Sequence, residues 1–217
     1  MYVEFSHVTT KTKGFSLQDI SFFVPEGYIT GIVGENGAGK TTLFRQIMAE
    51  DARYSGEIYI DGMSLRDHRQ ELMQEIGFIS EEQKFFRNYN SLQNADFLRG
   101  FYHKFNRDLF KDKIAELKVS LGTKLSSLSR GEFLKFQLAF ALAHGSRLFL
   151  LDEATAGMDV VYKKEFFKEL HQIIEKEDAA ILMSTHIQEE VTRHMDYVVY
   201  FSGGRVLFRE EAGEWRR

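Results

Sequence analysis

Short apolar stretches rich in aromatic and β-branched residues alternate along the chain with longer segments of helical character. Apolar runs of this length, bounded by turn residues, are typical of strands. The pattern predicts strands at Met1–Val8, Phe15–Val24, Tyr28–Val33, Ser55–Gly62, Ile76–Ser80, Arg147–Leu151, Ala180–Ser184, Tyr197–Phe201 and Arg205–Phe208.

Helices are predicted between these strands, at Thr41–Glu50 and Val160–Glu177 and throughout the region from about 91 to 145. Within that region phenylalanines recur every four residues, a spacing typical of one helix face. Strands that alternate with helices predict a mostly parallel sheet covered on both sides. Composition does not change at either edge of the helical region, so we expect an insert within one domain. The periodic positions are Phe97, Phe101 and Phe105, followed by Leu109, Lys113 and Leu117.

Composition narrows the class of protein. The 217 residues are 43% hydrophobic and 28% charged, as in soluble globular proteins. The sequence has 28 basic and 32 acidic residues and no stripe of basic residues, so we expect no nucleic-acid partner. No apolar run approaches the roughly 20 residues that span a bilayer, and the N-terminus lacks the features of a signal peptide. The absence of cysteine fits a reducing cytosol.

A glycine-rich loop follows the strand predicted to end at Val33, and a predicted helix follows the loop. Its sequence matches G-x-x-x-x-G-K-[ST] at every defined position, and this context supports a phosphate-binding loop. Backbone N–H groups would cradle phosphate oxygens. Lys40 would bridge the β- and γ-phosphates, and the Thr41 hydroxyl would ligate Mg²⁺. The loop reads Gly34, Glu35, Asn36, Gly37, Ala38, Gly39, Lys40, Thr41 and Thr42.

Two adjacent carboxylates, Asp152 and Glu153, end an apolar run that predicts a buried central strand. A carboxylate at this strand end suits Mg²⁺ binding by Asp152. Glu153 would then orient and polarise the water that attacks the γ-phosphate. The alternative is a pair of solvated acids in a turn, which the phosphate loop makes less favourable.

A third motif, Leu128–Glu132, predicts a helix N-terminus. Ser129 and Gly131 would present a hydroxyl and an N–H group to a phosphate. The alternative is a structural capping box between Ser129 and Glu132. The two interpretations are compatible, because a helix N-terminus binds phosphate for the same reason that it needs a cap.

The ordered series of phosphate loop, Leu128–Glu132, Asp152-Glu153 and Ser184-Thr185-His186 resembles the ATP-binding subunit of an ABC (ATP-binding cassette) transporter over nearly the whole chain. The resemblance implies an α/β phosphate-loop NTPase fold: a mostly parallel sheet flanked by helices, an antiparallel β subdomain and an inserted helical subdomain. The nucleotide-binding core would comprise 1–80 and 146–217, and the helical subdomain about 85–145.

Further site residues are implied by the resemblance alone. Asp159 matches the acidic residue of the D-loop, which contacts the second subunit. His186 matches the switch histidine at the γ-phosphate, a catalytic position beside Glu153. Glu81 stands where the family usually has a glutamine that contacts Mg²⁺, with Gln83 as the weaker alternative register.

Two departures from the family pattern concern nucleotide contacts. The signature is usually Leu-Ser-Gly-Gly-Gln, but Arg130 and Glu132 replace its third and fifth residues here. The aromatic that usually stacks on adenine falls near Thr12, and Phe15 is the nearest aromatic residue.

The resemblance also implies ligands and partners. ATP and Mg²⁺ would bind, and Ser129, Gly131 and Glu132 would contact the nucleotide of a second ABC subunit in a homodimer or heterodimer. A separate membrane permease would hold the pair at the cytoplasmic face of the cell membrane. The amino-acid sequences of the motifs are most similar to those in cassettes of compact bacterial exporters of peptides, lipids or drugs. The alternative is a soluble ABC ATPase, for example of the cluster-assembly type.

Overall fold

A six-stranded, mostly parallel sheet forms the centre of the protein in a computed structural model that describes residues 1–10, 14–48, 53–82, 84–176 and 178–214. Its strand order is β10-β9-β3-β8-β7-β6, and only β10 runs antiparallel to its neighbour. The ten strands in the described ranges are β1 Val3–Thr10, β2 Ile20–Val24, β3 Ile29–Val33, β4 Tyr54–Ile60, β5 Met63–Ser64, β6 Ile76–Ser80, β7 Leu148–Asp152, β8 Ala180–Thr185, β9 Tyr197–Ser202 and β10 Arg205–Glu211.

Helices cover this sheet on both faces. Strands β3 and β8 are therefore buried along their whole length and consist largely of apolar residues. The α-helices in the described ranges are α1 Lys40–Ile47, α2 Arg69–Leu72, α3 Ser91–Leu98, α4 Arg107–Glu116, α5 Arg130–Ala143, α6 Val160–Lys176 and α7 Gln188–His194.

A second, antiparallel sheet has the order β2-β1-β4-β5. Its inner side chains pack with α1 and with one face of the central sheet in a single hydrophobic cluster, which includes Phe5, Phe44 and Leu150. The opposite face of the central sheet packs on α6 through a second cluster, which includes Phe149 and Phe166. Neighbouring residues of β7 thus point to different cores, as expected from the two-residue period of a strand.

Helices α3, α4 and α5 enclose a third hydrophobic cluster, rich in phenylalanine. Phe110, Phe136 and Phe140 are at most 4% exposed there, and edge-to-face ring contacts join them. Many of the phenylalanine side chains therefore lie in the hydrophobic core.

The structure corrects two sequence predictions. The strand predicted at Phe15–Val24 begins only at Ile20, directly after Asp19, whose backbone turns through a positive φ of 53°. The predicted phenylalanine face is not one helix: α3 ends at Leu98, and the Asn106 side chain caps the start of α4. Phe97 and Phe101 are consequently 51% and 72% exposed.

The predicted fold class is confirmed: the protein is α/β, with a mostly parallel sheet, a separate antiparallel sheet and flanking helices. Helix α7 had no counterpart in the sequence prediction. Glu50 and Glu177, the predicted last residues of two helices, lie outside the described residues. None of the helices in the described ranges is long and apolar enough to cross a bilayer.

Candidate active site

The carboxyl ends of β3, β7 and β8 meet at one edge of the central sheet, because these strands are parallel neighbours. The phosphate loop follows β3, Asp152 and Glu153 lie at the end of β7, and His186 follows β8. Three motifs that are distant in sequence therefore converge where ligands bind in open α/β sheets.

Two glycines of the phosphate loop are required by geometry. A Cβ atom on Gly34 would lie 2.3 Å from the backbone oxygen of Phe201. Gly39, directly before α1, has a φ of +113°, and a Cβ atom there would lie 2.8 Å from Leu17 and 2.9 Å from Phe15. The loop can therefore run this close to β9 and to Phe15 only without side chains at these positions.

Lys40 begins α1 and is only 4% exposed. Its Nζ donates hydrogen bonds to the backbone oxygens of Gly34 (2.8 Å) and Glu35 (3.1 Å). The ammonium group also lies 3.7 Å from Oε1 of Glu153. The Lys40 ammonium group is therefore held inside the loop. This position suits an ammonium group that binds phosphate oxygens.

Asp152 is half-buried at the end of β7 and hydrogen-bonded to hydroxyl groups. Ser184 donates to its Oδ1 at 2.6 Å. Burial raises the pKa of Asp152 above its ordinary value, hydrogen bonds from Ser184 and Thr41 oppose this shift, and the carboxylates of Glu153 and Glu82 add to it. A half-buried carboxylate that lies near other acids and beside a hydroxyl is a site that a divalent cation would stabilise.

Glu153 holds a strained backbone conformation, with a φ of +47°. Its N–H donates to Ser184 Oγ at 2.9 Å, so one serine fixes both Asp152 and Glu153. Its Oε1 lies 3.7 Å from Lys40 Nζ and 3.8 Å from Nδ1 of His186. The carboxylate therefore projects between the lysine and the histidine.

A buried carboxylate behind the site, Glu190 of α7, ties three segments together. It is 2% exposed, and its Oε2 accepts hydrogen bonds from the hydroxyls of Thr155 (2.9 Å) and Thr185 (2.7 Å). Its other oxygen lies 2.8 Å from Nζ of Lys163 in α6. The segments that follow Glu153 and precede His186 are thereby held at a fixed separation.

The predicted capping box at the start of α5 is present. The Ser129 side chain accepts from the N–H of Glu132, and the Glu132 carboxylate accepts from the N–H of Ser129 at 2.8 Å. Asp159 has a similar local role, since its Oδ1 accepts from the N–H groups of Val161 and Tyr162 in the first turn of α6. No hydrogen bond or ion pair recorded between described residues joins Ser129, Gly131 or Asp159 to the phosphate loop.

Among the described residues, no hydrogen bond or ion pair joins Glu81 to the phosphate loop. Instead its carboxylate forms an ion pair with Nε of Arg130 in α5. The neighbouring Glu82 pairs with Arg45 at 2.8 Å and influences Asp152 electrostatically. The role of Glu81 at the metal stays a prediction, and its alternative, Gln83, lies outside the described residues.

An open cavity of about 450 Å³ lies over the phosphate loop. Phe15 forms part of its wall, while Thr12 lies outside the described residues. An aromatic ring at the edge of this cavity could stack on a nucleotide base. The lining residues are Phe15, Asn36, Gly37, Gly39, Lys40, Thr41, Thr42 and Glu153.

Sequence reasoning missed several residues of the site. Ser184 was visible only as part of a motif that pointed to His186. Thr155 and Glu190 are 35 positions apart in the sequence, and Glu81 and Arg130 are 49 positions apart. Local residue spacing does not indicate contacts over such separations.

A phosphate loop, a strand-end carboxylate pair and a nearby histidine on a parallel sheet define the class of phosphate-loop nucleotide-binding proteins. The sequence profile of the ABC transporter family matches residues 17–156. The chain belongs to that family and is an ATPase subunit of it.

Similar proteins agree with this assignment. The ABC transporter ATP-binding protein NatA of Bacillus subtilis (strain 168) is 31% identical over 201 residues, which cover 89% of this chain and 81% of NatA. The methionine import ATP-binding protein MetN of Corynebacterium jeikeium (strain K411) is 30% identical over 88% of this chain, which spans 55% of MetN.

The fold is also that of solved cassettes. The dimeric structure of a post-hydrolysis state of the ATP-binding cassette MJ0796, bound to ADP and Pi, superposes with a TM-score of 0.84. It is 22% identical to this chain, and the match covers 98% of this chain and 100% of that one.

Proposed function

We propose that the protein binds ATP with Mg²⁺ in the cavity over the phosphate loop and hydrolyses it to power a separate membrane permease. One observation carries the hydrolytic part: the Glu153 carboxylate projects between Lys40 and His186, at the cavity that the phosphate loop lines. These are the groups that a phosphoryl transfer to water needs in one place.

The roles follow from chemistry and position. The phosphate loop and Lys40 bind and neutralise the β- and γ-phosphates. Glu153 orients and polarises the attacking water, and its distance of 3.7 Å from Lys40 Nζ places it beside the phosphate-binding cation. His186, 48% exposed at the same edge, contacts the γ-phosphate oxygens.

The oxygen atoms of Asp152 and Thr41 suit a bound Mg²⁺ ion. Mg²⁺ is usually held by one or two carboxylates together with substrate phosphates and water. Asp152 and the Thr41 hydroxyl, which hydrogen-bond each other, would supply the protein oxygens. When bound, the ion would neutralise charge that develops on the phosphate oxygens.

A second ABC subunit would complete the site. Ser129 and Gly131 lie at an exposed helix N-terminus that makes no recorded contact with the phosphate loop of its own chain in the described residues, and an N-terminus of this kind attracts anions. We propose that it binds the γ-phosphate held by the partner, a proposal that the dimeric structure of the ATP-binding cassette MJ0796 supports.

An exposed aromatic surface is the place we propose for the permease. Phe86, Tyr89 and Phe97, here called the aromatic trio, are 42–51% exposed and contact one another edge to face. Phe101, 72% exposed, follows nearby in sequence. Exposed apolar clusters of this kind mark interaction sites, and this one belongs to the helical region rather than to the active site.

Export is the direction we propose, since the motif sequences resemble those of cassettes of compact exporters of peptides, lipids or drugs. MetN, named for import, shows that similar chains also serve the opposite direction. ATP-driven uptake of substrate into inverted membrane vesicles supports export, whereas uptake into right-side-out vesicles overturns it.

Affinity purification from detergent-solubilised membranes tests the coupling to a permease. A tag on this chain is expected to recover a multi-span membrane protein, and a soluble partner complex instead would overturn the proposal. Phe97→Ser is expected to reduce the recovery several-fold without loss of stability. Leu207→Ser, a change at an apolar residue of β10 that is 57% exposed, is the matched control and is expected to change nothing.

Two active-site variants test the chemistry. Lys40→Ala is expected to abolish ATP binding, measured with a fluorescent ATP analogue. Glu153→Gln is expected to retain that binding and to lower the hydrolysis rate by about a hundredfold or more. Hydrolysis by Glu153→Gln at the unmutated rate would contradict the role of Glu153.

A further inference from the structure

Arg130, the first residue of α5, reaches from the helical region into the nucleotide-binding core of its own chain. Its Nε pairs with the Glu81 carboxylate, and its Nη2 donates to the backbone oxygen of Glu153 at 3.4 Å. Its Nη1 covers Gly157, where an added Cβ would lie 2.9 Å away. One guanidinium thus contacts the segment after β6, the end of β7 and the loop before α6.

The same face of α5 is anchored two turns further along. Gln137, seven residues after Arg130, is 2% exposed. Its side chain bonds both the N–H (3.0 Å) and the C=O (2.9 Å) of Ser80 at the end of β6. Residues i and i+7 share a helix face about 10 Å apart, so Gln137 fixes the middle of α5 and Arg130 fixes its N-terminus.

The Arg130 side chain points toward its own core, away from the role proposed for its neighbours. Ser129 and Gly131 are the residues that would meet the partner's nucleotide. Gly157 belongs to the loop that ends at Asp159, the residue that the family resemblance places at the second subunit. The guanidinium therefore lies between the two parts of this chain that approach the other subunit.

We propose that Arg130 is a positioning residue that locks the N-terminus of α5 to Glu81 and to the loop at Gly157, so that both are presented to a second copy of this chain as one rigid unit. The proposal rests on the proposed function, since it concerns the ATP-bound pair. It assigns the Glu81 carboxylate to Arg130 rather than to the metal.

The test measures ATP-driven dimerisation by sedimentation velocity in the Glu153→Gln parent, which is expected to retain ATP. Arg130→Ala and Glu81→Ala are each expected to raise the dimer dissociation constant about tenfold. The double variant is expected to show no greater loss than Arg130→Ala alone, because Arg130→Ala already removes the contact with Glu81. Binding of a fluorescent ATP analogue to the single chain is expected to stay unchanged.

Two further variants separate positioning from folding. Arg130→Lys keeps the charge but loses the forked guanidinium, and a loss of about threefold is expected. Arg107→Ala removes an arginine of the same region that pairs with Asp96 at 2.7 Å and 2.9 Å between α4 and α3, and it is expected to leave dimerisation unchanged. Unfolding midpoints measured on every variant confirm that each is folded.

Unchanged or tighter dimerisation in both Arg130→Ala and Arg130→Lys would overturn the proposal, and so would additive losses in the double variant. If Glu81→Ala bound ATP more weakly and the loss depended on Mg²⁺ concentration, Glu81 would be a metal ligand. That result would also overturn the proposal. If the parent itself neither bound ATP nor dimerised, the proposed function would fail first, so the two failures are distinct.

Discussion

At the scale of single residues, Ser184 supports the chemistry although it has no chemical role of its own. Its hydroxyl donates to Asp152 and accepts from the N–H of Glu153. The second bond holds Glu153 in a positive-φ conformation that costs on the order of 1–3 kcal/mol. The position of the proposed general base therefore depends on one hydroxyl group of the neighbouring strand.

Ser184→Ala is expected to lower kcat roughly ten- to hundredfold, because a small displacement of Glu153 misplaces the attacking water. It is also expected to reduce the free energy of unfolding by about 1–3 kcal/mol, since buried partners lose their hydrogen bonds. Steady-state hydrolysis and urea denaturation measure the two effects. Ser202→Ala, at an exposed position at the end of β9, is the control, and equal kinetics in the two variants would contradict this account.

At the scale of elements, the predictable parts of the site are those that one continuous segment encodes. The phosphate loop lies between a strand and a helix, and Asp152 ends a buried strand, so the residues near each motif were enough to predict them. The long-range contacts of Arg130 with Glu81 and of Glu190 with Thr155 depend on how separate elements pack, and local patterns do not contain that information.

The strand and helix boundaries show the same limit. Asp19 with its positive φ, and the short 3₁₀ helix at Arg99–Phe101 between α3 and α4, interrupt patterns that were otherwise correct. Hydrophobic spacing predicts the kind of element but does not show where the backbone turns. The predicted subdomain boundaries stay a prediction.

Glu190 offers a test at this scale, since α7 fixes two active-site loops through it. Glu190→Ala leaves the hydroxyls of Thr155 and Thr185 and the Lys163 ammonium without their shared acceptor. The free energy of unfolding is expected to fall by about 3–5 kcal/mol and kcat to fall with it, measured by denaturation and hydrolysis.

Glu189→Ala is the matched control for Glu190→Ala. This neighbouring glutamate is exposed and pairs with Arg193 one turn along the helix surface. A change of less than about 0.5 kcal/mol is expected there. Equal effects of the two substitutions would show that the buried contacts of Glu190 have no special importance.

At the scale of the whole molecule, a buried histidine joins the helical region to the core. His144 is 2% exposed, stacks on Tyr102 at 4.1 Å between ring centres, and contacts the backbone oxygen of Gln74 at 3.2 Å. Burial lowers the pKa of His144 to about 4, against hydrogen bonds to backbone oxygens that oppose the shift. The folded protein therefore keeps this imidazole neutral under conditions in which the unfolded chain binds a proton.

Stability is consequently expected to fall as the pH drops from about 6.5 to about 4, by up to about 1.4 kcal/mol per pH unit from this group. Below the folded pKa both states bind the proton, and the loss ends. His144→Gln is expected to remove this slope between pH 6.5 and 5.5 in urea denaturation. His194, whose pKa burial also lowers, is present in both proteins and cancels in the difference. Parallel stability curves would contradict the assignment to His144.

At the level of assembly, the phosphate loop and the exposed N-terminus of α5 at Ser129 are proposed to serve different nucleotides. Each active site would then need two chains. This expectation concerns the assembly. Within one chain, no hydrogen bond or ion pair between described residues joins Ser129 or Gly131 to the phosphate loop.

The hydrolysis rate per chain, measured over a range of protein concentrations with saturating ATP and Mg²⁺, tests this claim most directly. The specific activity is expected to rise with protein concentration and to reach a plateau as two copies associate. A specific activity that stays constant down to concentrations at which sedimentation detects only single chains would contradict it.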